Sequence, residues 1–320
     1  MKMSEGVFDI LVIGGGPAGL TAALYASRQS VRTGLITIDI GGQLVMSPRI
    51  ENFPGLPPLS GFELVNSILD QVRELGCEII YDEVVKIDGD GGRFIAYTKS
   101  GRRYPSKAVI LAIGKRPRKL GVPGEDKFVG KGVSYCAVCD APLYREKNVA
   151  IIGWGEAVYE AATVLNSYGN RLYIIFPGKI SKGELSEKLS RLGAKLMERT
   201  RVMEIKGDLV VKSIVLKNLD SGEVSELEVD GIFIEMGYVA DTRWLGNLIE
   251  VNENGEIVID KVCRTSKEGI FAAGDVTDVP YKQAVIAAAQ GAIAALSAYN
   301  YLVRLSGGVE VKSDWRKLVE

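Results

Sequence analysis

The sequence predicts an α/β protein of two doubly wound, three-layer units, the second inserted into the first. Three observations predict it. Residues 8–26, FDILVIGGGPAGLTAALYA, read as a buried strand, a glycine turn and a helix. Residues 148–164, NVAIIGWGEAVYEAATV, repeat that plan some 140 positions later. A chain of 320 residues is long for one core and comfortable for two. Two strand–GxG–helix openings are the mark of Rossmann-like dinucleotide-binding domains.

The remaining elements fit around these openings. Residues 94–104, preceded by GGR, alternate like a small antiparallel sheet, and AVILAIG at 108–114 is a short apolar strand ending in glycine. The basic, proline-containing KRPRKLGVPGEDKFVG that follows reads as a connector. Residues 209–216 and 223–229 resemble a hairpin, and 231–236 a strand closing the second unit. VCRTSKEGIFAAGDV supplies one more apolar strand, ending in Gly274-Asp275. The simplest layout puts residues 1–115 and 242–320 in the first unit and 116–241 in the second.

Residues 284–303 run for 20 positions without a charge, AVIAAAQGAIAALSAYNYLV. The run is built of Ala and Gly and interrupted by Gln290 and Asn300, which favours a buried helix over a membrane span. MKMSEGVFDILVIGGG turns into strand and glycine turn where a signal peptide would need an apolar segment, so a cytoplasmic protein is expected. Lys+Arg 39 against Asp+Glu 40 leaves a net charge of −1, which argues against nucleic-acid and membrane-surface roles. Histidine is absent, removing imidazole triads and His-containing zinc sites; proton work falls to carboxylates, Lys, Tyr or thiols.

Gly14, Gly16 and Gly19 form GxGxxG directly between strand and helix. Gly14 permits the tight turn, Gly16 lets a pyrophosphate approach the backbone, and Gly19 lets helix and strand pack closely. The ribose-binding acid belongs about 20 residues on, near Thr37. Asp39 is the nearest candidate.

GVSYCAVCD at 132–140 holds two thiols three positions apart with an acid behind them. A metal clip, a permanent bridge and a redox dithiol all fit the bare spacing. Four cysteines are too few for a disulfide framework, and a zinc site wants a second CxxC. In a reducing compartment a CxxC is more often catalytic. The first thiol, at a helix start, is open to stabilisation by backbone N–H groups, and Asp140 is the adjacent titratable group. Cys77 and Cys263 read as buried small apolar residues.

GGGPAGLTAALYA, GGQL, ENFPG, SYCAVCDAPLYREKNVAIIG, GIFAAGDV and KQAVIAAAQG occur in that order. Together they closely resemble the low-molecular-weight thioredoxin reductases, FAD proteins with two dinucleotide domains. The resemblance implies that FAD meets Gly14, Gly16, Pro17, Ala18, Gly19, Asp39, Gly42, Gln43, Leu44, Asn52, Ala112, Gly114, Gly274, Asp275, Lys282, Gln283 and Ala284. A helix beginning near Lys282 would point its positive end at the flavin. It implies a relay in which electrons reach Cys139, Cys136 attacks the disulfide of a thioredoxin- or glutaredoxin-like partner, and Asp140 protonates a leaving thiolate. It also implies a homodimer, and a hinge rotation about links near 115–119 and 237–241.

The second glycine turn departs from that pattern. Gly153 and Gly155 are present, but Trp154 lies between them, Glu156 stands where pyrophosphate would dock, and Val158 takes the close-packing position. The family's His-Arg-Arg grip on a 2′-phosphate is replaced by Phe176, Pro177 and Gly178, with Lys179 and Lys182 the nearby cations. This predicts weak NADPH binding. NADPH or NADH remains a candidate donor beside a ferredoxin or a reduced thiol protein. An NAD(P)H oxidase and a flavin-binding redox module are the alternative functions.

Overall fold

The computed structural model describes residues 6–47, 49–179 and 184–309, without the side chain of residue 184. They form two compact units: the chain up to Arg116 with the chain from Val239, and Pro117–Tyr238 between them.

The first unit opens with β1 (Phe8–Gly15), a run buried on both faces as a central parallel strand must be. Helix α1 (Pro17–Arg28) follows at once, with proline in its first turn and no acidic residue there. After β2 (Thr33–Ile40), α2 (Gly61–Glu74) starts at a capping box: Glu63 N–H donates to Ser60 Oγ at 3.2 Å, and Ser60 N–H to Glu63 Oε2 at 2.8 Å. Its Leu64, Val65, Ile68, Leu69 and Val72 recur at helical spacing and are buried. Then come β3 (Glu78–Tyr81), β4 (Val84–Asp90), β5 (Arg93–Thr98) and β6 (Arg103–Leu111). The sheet order is β3-β2-β1-β6-β5-β4, parallel through β6 and antiparallel beyond it. Gly91 and Gly92 close the β4–β5 hairpin with φ of 53° and 77°, as a two-residue turn requires.

The chain leaves through β7 (Arg116–Pro117) and builds the second unit. Its elements are α3 (Glu125–Phe128), β8 (Val133–Ser134), α4 (Ala137–Asp140), β9 (Asn148–Gly153), α5 (Glu156–Asn166), β10 (Arg171–Ile175), α6 (Glu184–Arg191) and β11 (Lys195–Met197). There follow β12 (Thr200–Gly207), β13 (Val211–Asn218), β14 (Val224–Glu228) and β15 (Gly231–Glu235). One sheet is parallel in the order β11-β10-β9-β15-β8, and β12-β13-β14 form a separate antiparallel sheet. The hairpin foreseen near 209–229 is β13–β14, and β12 adds a third strand to it. β15, the last strand of the unit in sequence, lies inside the sheet, between β9 and β8. That position explains its apolar GIFI.

The return strand β16 (Tyr238–Val239) pairs with β7. Within the second unit, Arg118 N–H donates to Gly237 C=O at 2.8 Å, so the outgoing and returning chains run side by side. β17 (Ile270–Ala272) then joins β6 in parallel, and α7 (Ala284–Leu305) completes the first unit. By length and composition α7 is apolar enough to cross a membrane. Its Ala287, Gly291, Ala294, Ala295 and Ala298 are nonetheless buried, and a side chain at Gly291 would strike Ala18 C=O of α1. This is a small-residue helix contact in a core. The first unit's sheet is thus layered between α1, α2 and α7 on one face and an apolar cluster including Phe94, Leu245 and Ile249 on the other.

Candidate active site

In the first unit the glycine turn is built for close backbone approach. A side chain at Gly19 would come within 1.7 Å of Gly14 C=O, and one at Gly14 (φ 107°) within 2.3 Å of Ala112 C=O. A side chain at Gly16 would meet nothing within 4 Å, so the space at the start of α1 is open. Open backbone amides, a free helix N-terminus and no acidic group in its first turn fit the pyrophosphate of a dinucleotide. Pro17 and Ala18 form the first turn of α1, and Ala18 is buried. Asp39 lies exposed at the end of β2, and its Oδ1 accepts Gly42 N–H at 3.2 Å. Thr37, at the position where an acid belongs, is buried and donates to Asp39 C=O.

Residues far apart in sequence converge on the same unit. Gln43, two residues before Val45 in a short 3-10 turn with Leu44, donates to Lys115 C=O at 2.9 Å, next to Gly114. Asn52 Nδ2 donates to Gln283 Oε1 at 3.1 Å. Helix α7 begins at Ala284 with Gln283 as its N-cap, so Lys282 precedes the helix instead of starting it. Lys282 is turned to a local role: its Nζ donates to Thr277 C=O at 2.6 Å and pairs with Glu256 at 3.1 Å. Burial raises the Asp275 carboxyl above its ordinary value, and Lys282 and Lys115 partly oppose that.

Sequence reasoning missed two parts of this arrangement. Lys115 and Lys282 share the carboxylate of Glu256, with Lys115 at 2.8 Å. Burial would raise Glu256, but hydrogen bonds from Lys115, Asn252 and Lys282 outweigh it and hold the group at about 2. Gln290, noted in the sequence as a break in an apolar run, accepts Gly274 N–H through its buried Oε1 at 2.8 Å. An amide among the alanines of the helix was the available signal.

In the second unit Cys136 and Cys139 form a disulfide, their Cα atoms 5.4 Å apart. Both are half-buried, while Val138 between them is exposed. Cys136 caps the single-turn α4, and its Sγ accepts Cys139 N–H at 3.2 Å. Ser134 Oγ accepts Cys136 N–H at 3.0 Å and donates to Cys136 C=O at 3.2 Å. Asp140 ends α4, and burial, with a smaller contribution from Asp140, raises the Tyr144 hydroxyl. It is not the sole titratable group at the turn, as the sequence suggested. Glu235 closes β15, the strand beside β8 that leads into the turn, and burial pushes its carboxyl up to about 7. The signal was a carboxylate closing an otherwise apolar strand.

The second glycine turn has the shape of the first but not its charge. A side chain at Gly153 would fall 2.1 Å from Glu235 C=O, and Gly155 (φ 77°) faces open space. Val158 is buried and packs toward Gly153, which shows that the close-packing position accepts it. Trp154 is exposed, and Glu156 opens α5 and pairs with Lys188 at 3.6 Å. The Phe176 ring covers Gly178, whose C=O accepts Arg199 N–H at 2.9 Å, and the Arg199 guanidinium is held by Asp220 at 2.9 Å. Lys179 is exposed, and Lys182 lies outside the described residues. At the start of α5 a carboxylate thus stands beside the helix-terminal N–H groups, where the start of α1 carries none.

Of the other thiols, Cys263 is buried and Cys77 only half-buried, because it follows α2 at the unit's edge.

The family model for pyridine nucleotide-disulphide oxidoreductase matches residues 8–291. The chain is 37% identical over 321 residues to a thioredoxin reductase of Aquifex aeolicus, covering 98% of each. It is 38% identical over 300 residues to an NADH dehydrogenase of Bacillus subtilis, covering 93% of this chain but 59% of that protein. The fold superposes on a thioredoxin reductase of Lactococcus lactis with a TM-score of 0.74 and 34% identity, covering 93% of this chain and 99% of the other. A ferredoxin-flavin thioredoxin reductase of Clostridium acetobutylicum superposes with a TM-score of 0.55 and 32% identity, covering 95% and 100%. The chain belongs to the pyridine nucleotide-disulphide oxidoreductase family, as a member of the low-molecular-weight thioredoxin reductase-like kind.

Proposed function

We propose that the chain is a flavin-dependent disulfide reductase of thioredoxin reductase type that takes its electrons from a donor other than NADPH. The observation that supports this most directly is the contrast between its two glycine turns. One opens a helix with no acid in its first turn; the other opens a helix with Glu156 there.

FAD, held by the Gly14–Gly19 turn, Gln43, Asn52, Asp275 and Gln283, would supply a two-electron carrier. The chain's own chemistry is thiol–disulfide exchange. With the Cys136–Cys139 bond opened, the thiolate of Cys136 attacks a sulfur of the partner's disulfide, and the resulting mixed disulfide is resolved by Cys139. The Cys136–Cys139 bond re-forms, and the partner leaves with two electrons and two protons. Asp140, at the end of α4, would hand a proton to a leaving thiolate. The partner is a thioredoxin- or glutaredoxin-like protein. A ferredoxin or a reduced thiol protein is the donor this reading favours, and a ferredoxin-using relative of the same fold lends it support.

Anaerobic flavin absorbance tests the proposal. Dithiothreitol is expected to bleach the bound flavin in the wild type and not in Cys139→Ser; bleaching that persists in the variant overturns the relay. NADPH at micromolar concentration is expected to bleach it slowly or not at all. Rapid stoichiometric bleaching overturns the donor assignment. The intact Cys136–Cys139 pair speaks against an NAD(P)H oxidase.

A further inference from the structure

Glu125, the first residue of α3, is only 2% exposed, and three donors converge on its carboxylate. Leu120 N–H reaches Oε1 at 2.9 Å, Gly121 N–H reaches Oε2 at 2.7 Å, and the Tyr135 hydroxyl reaches Oε1 at 2.8 Å. A carboxylate, an acceptor only, suits that set. All four residues belong to the second unit. Burial, then the bond to Glu125, raises the Tyr135 hydroxyl, so it stays protonated and keeps donating.

The footing of Glu125 is fixed by other contacts. Ile205 N–H of β12 donates to Pro123 C=O at 2.9 Å, and a side chain at Gly124 (φ 90°) would fall 2.0 Å from Ile205 C=O. Phe128, at the other end of α3, is buried in one cluster with Val133 and Ile205.

Tyr135 is the residue directly before Cys136. Before it, Val133 and Ser134 pair with β15, and Ser134 Oγ holds both the N–H and the C=O of Cys136. The chain that leads to Cys136 is thereby tied at two consecutive residues, Ser134 through β15 and Tyr135 through Glu125.

We propose that Glu125 is a positioning residue of the dithiol: through the Tyr135 hydroxyl it holds the chain entering Cys136, and so favours closure of the Cys136–Cys139 bond. The inference deepens the proposed function and rests on the pair being a redox dithiol. Closing the bond costs the freedom that the open turn and its two side chains possess. A chain already held at Tyr135 has less freedom to lose, which favours the closed form. Closure removes two electrons and two protons from the two thiols, and in turnover the partner's disulfide takes them up.

The test is the equilibrium of the full chain with oxidised and reduced dithiothreitol. As the Cys136–Cys139 bond forms, oxidised dithiothreitol accepts the two electrons and two protons. Remaining thiols are trapped after an acid quench, and the peptide carrying the pair is weighed in a mass spectrometer. In Tyr135→Phe, which removes the hydroxyl and keeps the ring, the closure constant is expected to fall about two- to tenfold, the worth of one hydrogen bond. A lowered thermal transition with an unchanged closure constant is what a merely structural role gives, and it overturns the proposal. Glu125→Gln sets an NH2 group against one of the N–H donors and should lower the constant as well. It is read alone should Tyr135→Phe not fold, and a wild-type constant then overturns the proposal. In the double variant the constant should fall no further than in the stronger single variant. Effects that multiply mean that Glu125 does not act through Tyr135, and overturn it. Trapping reads the sulfurs whether or not the flavin bleaches, so its outcome is separable from that of the bleaching test.

Discussion

Asn52 and Gln283, separated by 231 positions, meet side chain to side chain at 3.1 Å within the first unit. One precedes α2 and the other caps α7, so the bond ties the two lengths of chain from which that unit is made. A double-mutant cycle with Asn52→Ala and Gln283→Ala, followed by urea unfolding, should show a coupling of about 0.5–1 kcal/mol, a typical net hydrogen-bond contribution. Strict additivity would mean the contact carries nothing.

Glu256 bridges two lysines whose side chains are, like its own, mostly buried. Its folded-state pKa of about 2 lies below the ordinary 4.5. The group therefore stabilises the fold fully above about pH 4.5, and that contribution is lost as pH falls toward 2. Glu256→Gln should cost about 1.5–3 kcal/mol at pH 7, the range for hydrogen bonds to charged groups. The gap to wild type should close between pH 4.5 and 2, as followed by unfolding at stepped pH.

Gly16 and Gly19 of the first turn should separate folding from cofactor retention. Gly19→Ala drives a methyl into Gly14 C=O and should destabilise the protein by about 1–3 kcal/mol, an overpacking cost seen in its thermal transition. Gly16→Ala meets nothing within 4 Å. Its apoprotein should melt like the wild type, while flavin retention, measured by fluorescence of released flavin, weakens about tenfold, roughly 1.4 kcal/mol.

Glu156 places its charge at the start of α5, where it also favours the helix. Glu156→Gln should strengthen dinucleotide binding about two- to fivefold, the scale of one charge at a helix end. Exposed Trp154 beside it gives the readout, by quenching of its fluorescence on titration with NADH and NADPH. Unchanged binding would remove Glu156 as the obstacle.

Burial pushes Cys77 up to about 11 and Cys263 to about 12, so at pH 8 each is thiolate in about one molecule per thousand or fewer. Iodoacetamide at pH 8 should therefore label the reduced, folded chain at Cys136 and Cys139 and leave the other two untouched. Early labelling of Cys77 would contradict its burial.

What could be seen in the sequence depended on how local the cause was. The strand–glycine–helix openings are short-range patterns: the apolar run, the glycines and the helix start all lie within 19 consecutive residues at 8–26. Cys136, Cys139 and Asp140 are local too, fixed by one turn of chain. The pairing of Lys115 with Glu256 joins residues 141 positions apart, and no spacing rule reaches that far. Glu235 was hidden for a different reason. Its place near the dithiol turn follows from β15 entering between β9 and β8, and strand order is not written in any one segment. The start of α7 was placed two residues early because Lys282 and Gln283 carry no stop signal; the geometry makes Gln283 the cap.

The interrupted layout also has a temporal side. During synthesis the second unit is complete once the chain has been made to Tyr238, because all its strands come from one continuous stretch. The first unit began earlier but must wait: β6 still lacks β17, and the face of α1 that receives Gly291 stays bare until α7 emerges. The stretch made in the middle is thus the first able to fold, and the opening glycine turn spends most of translation without the helix that backs it.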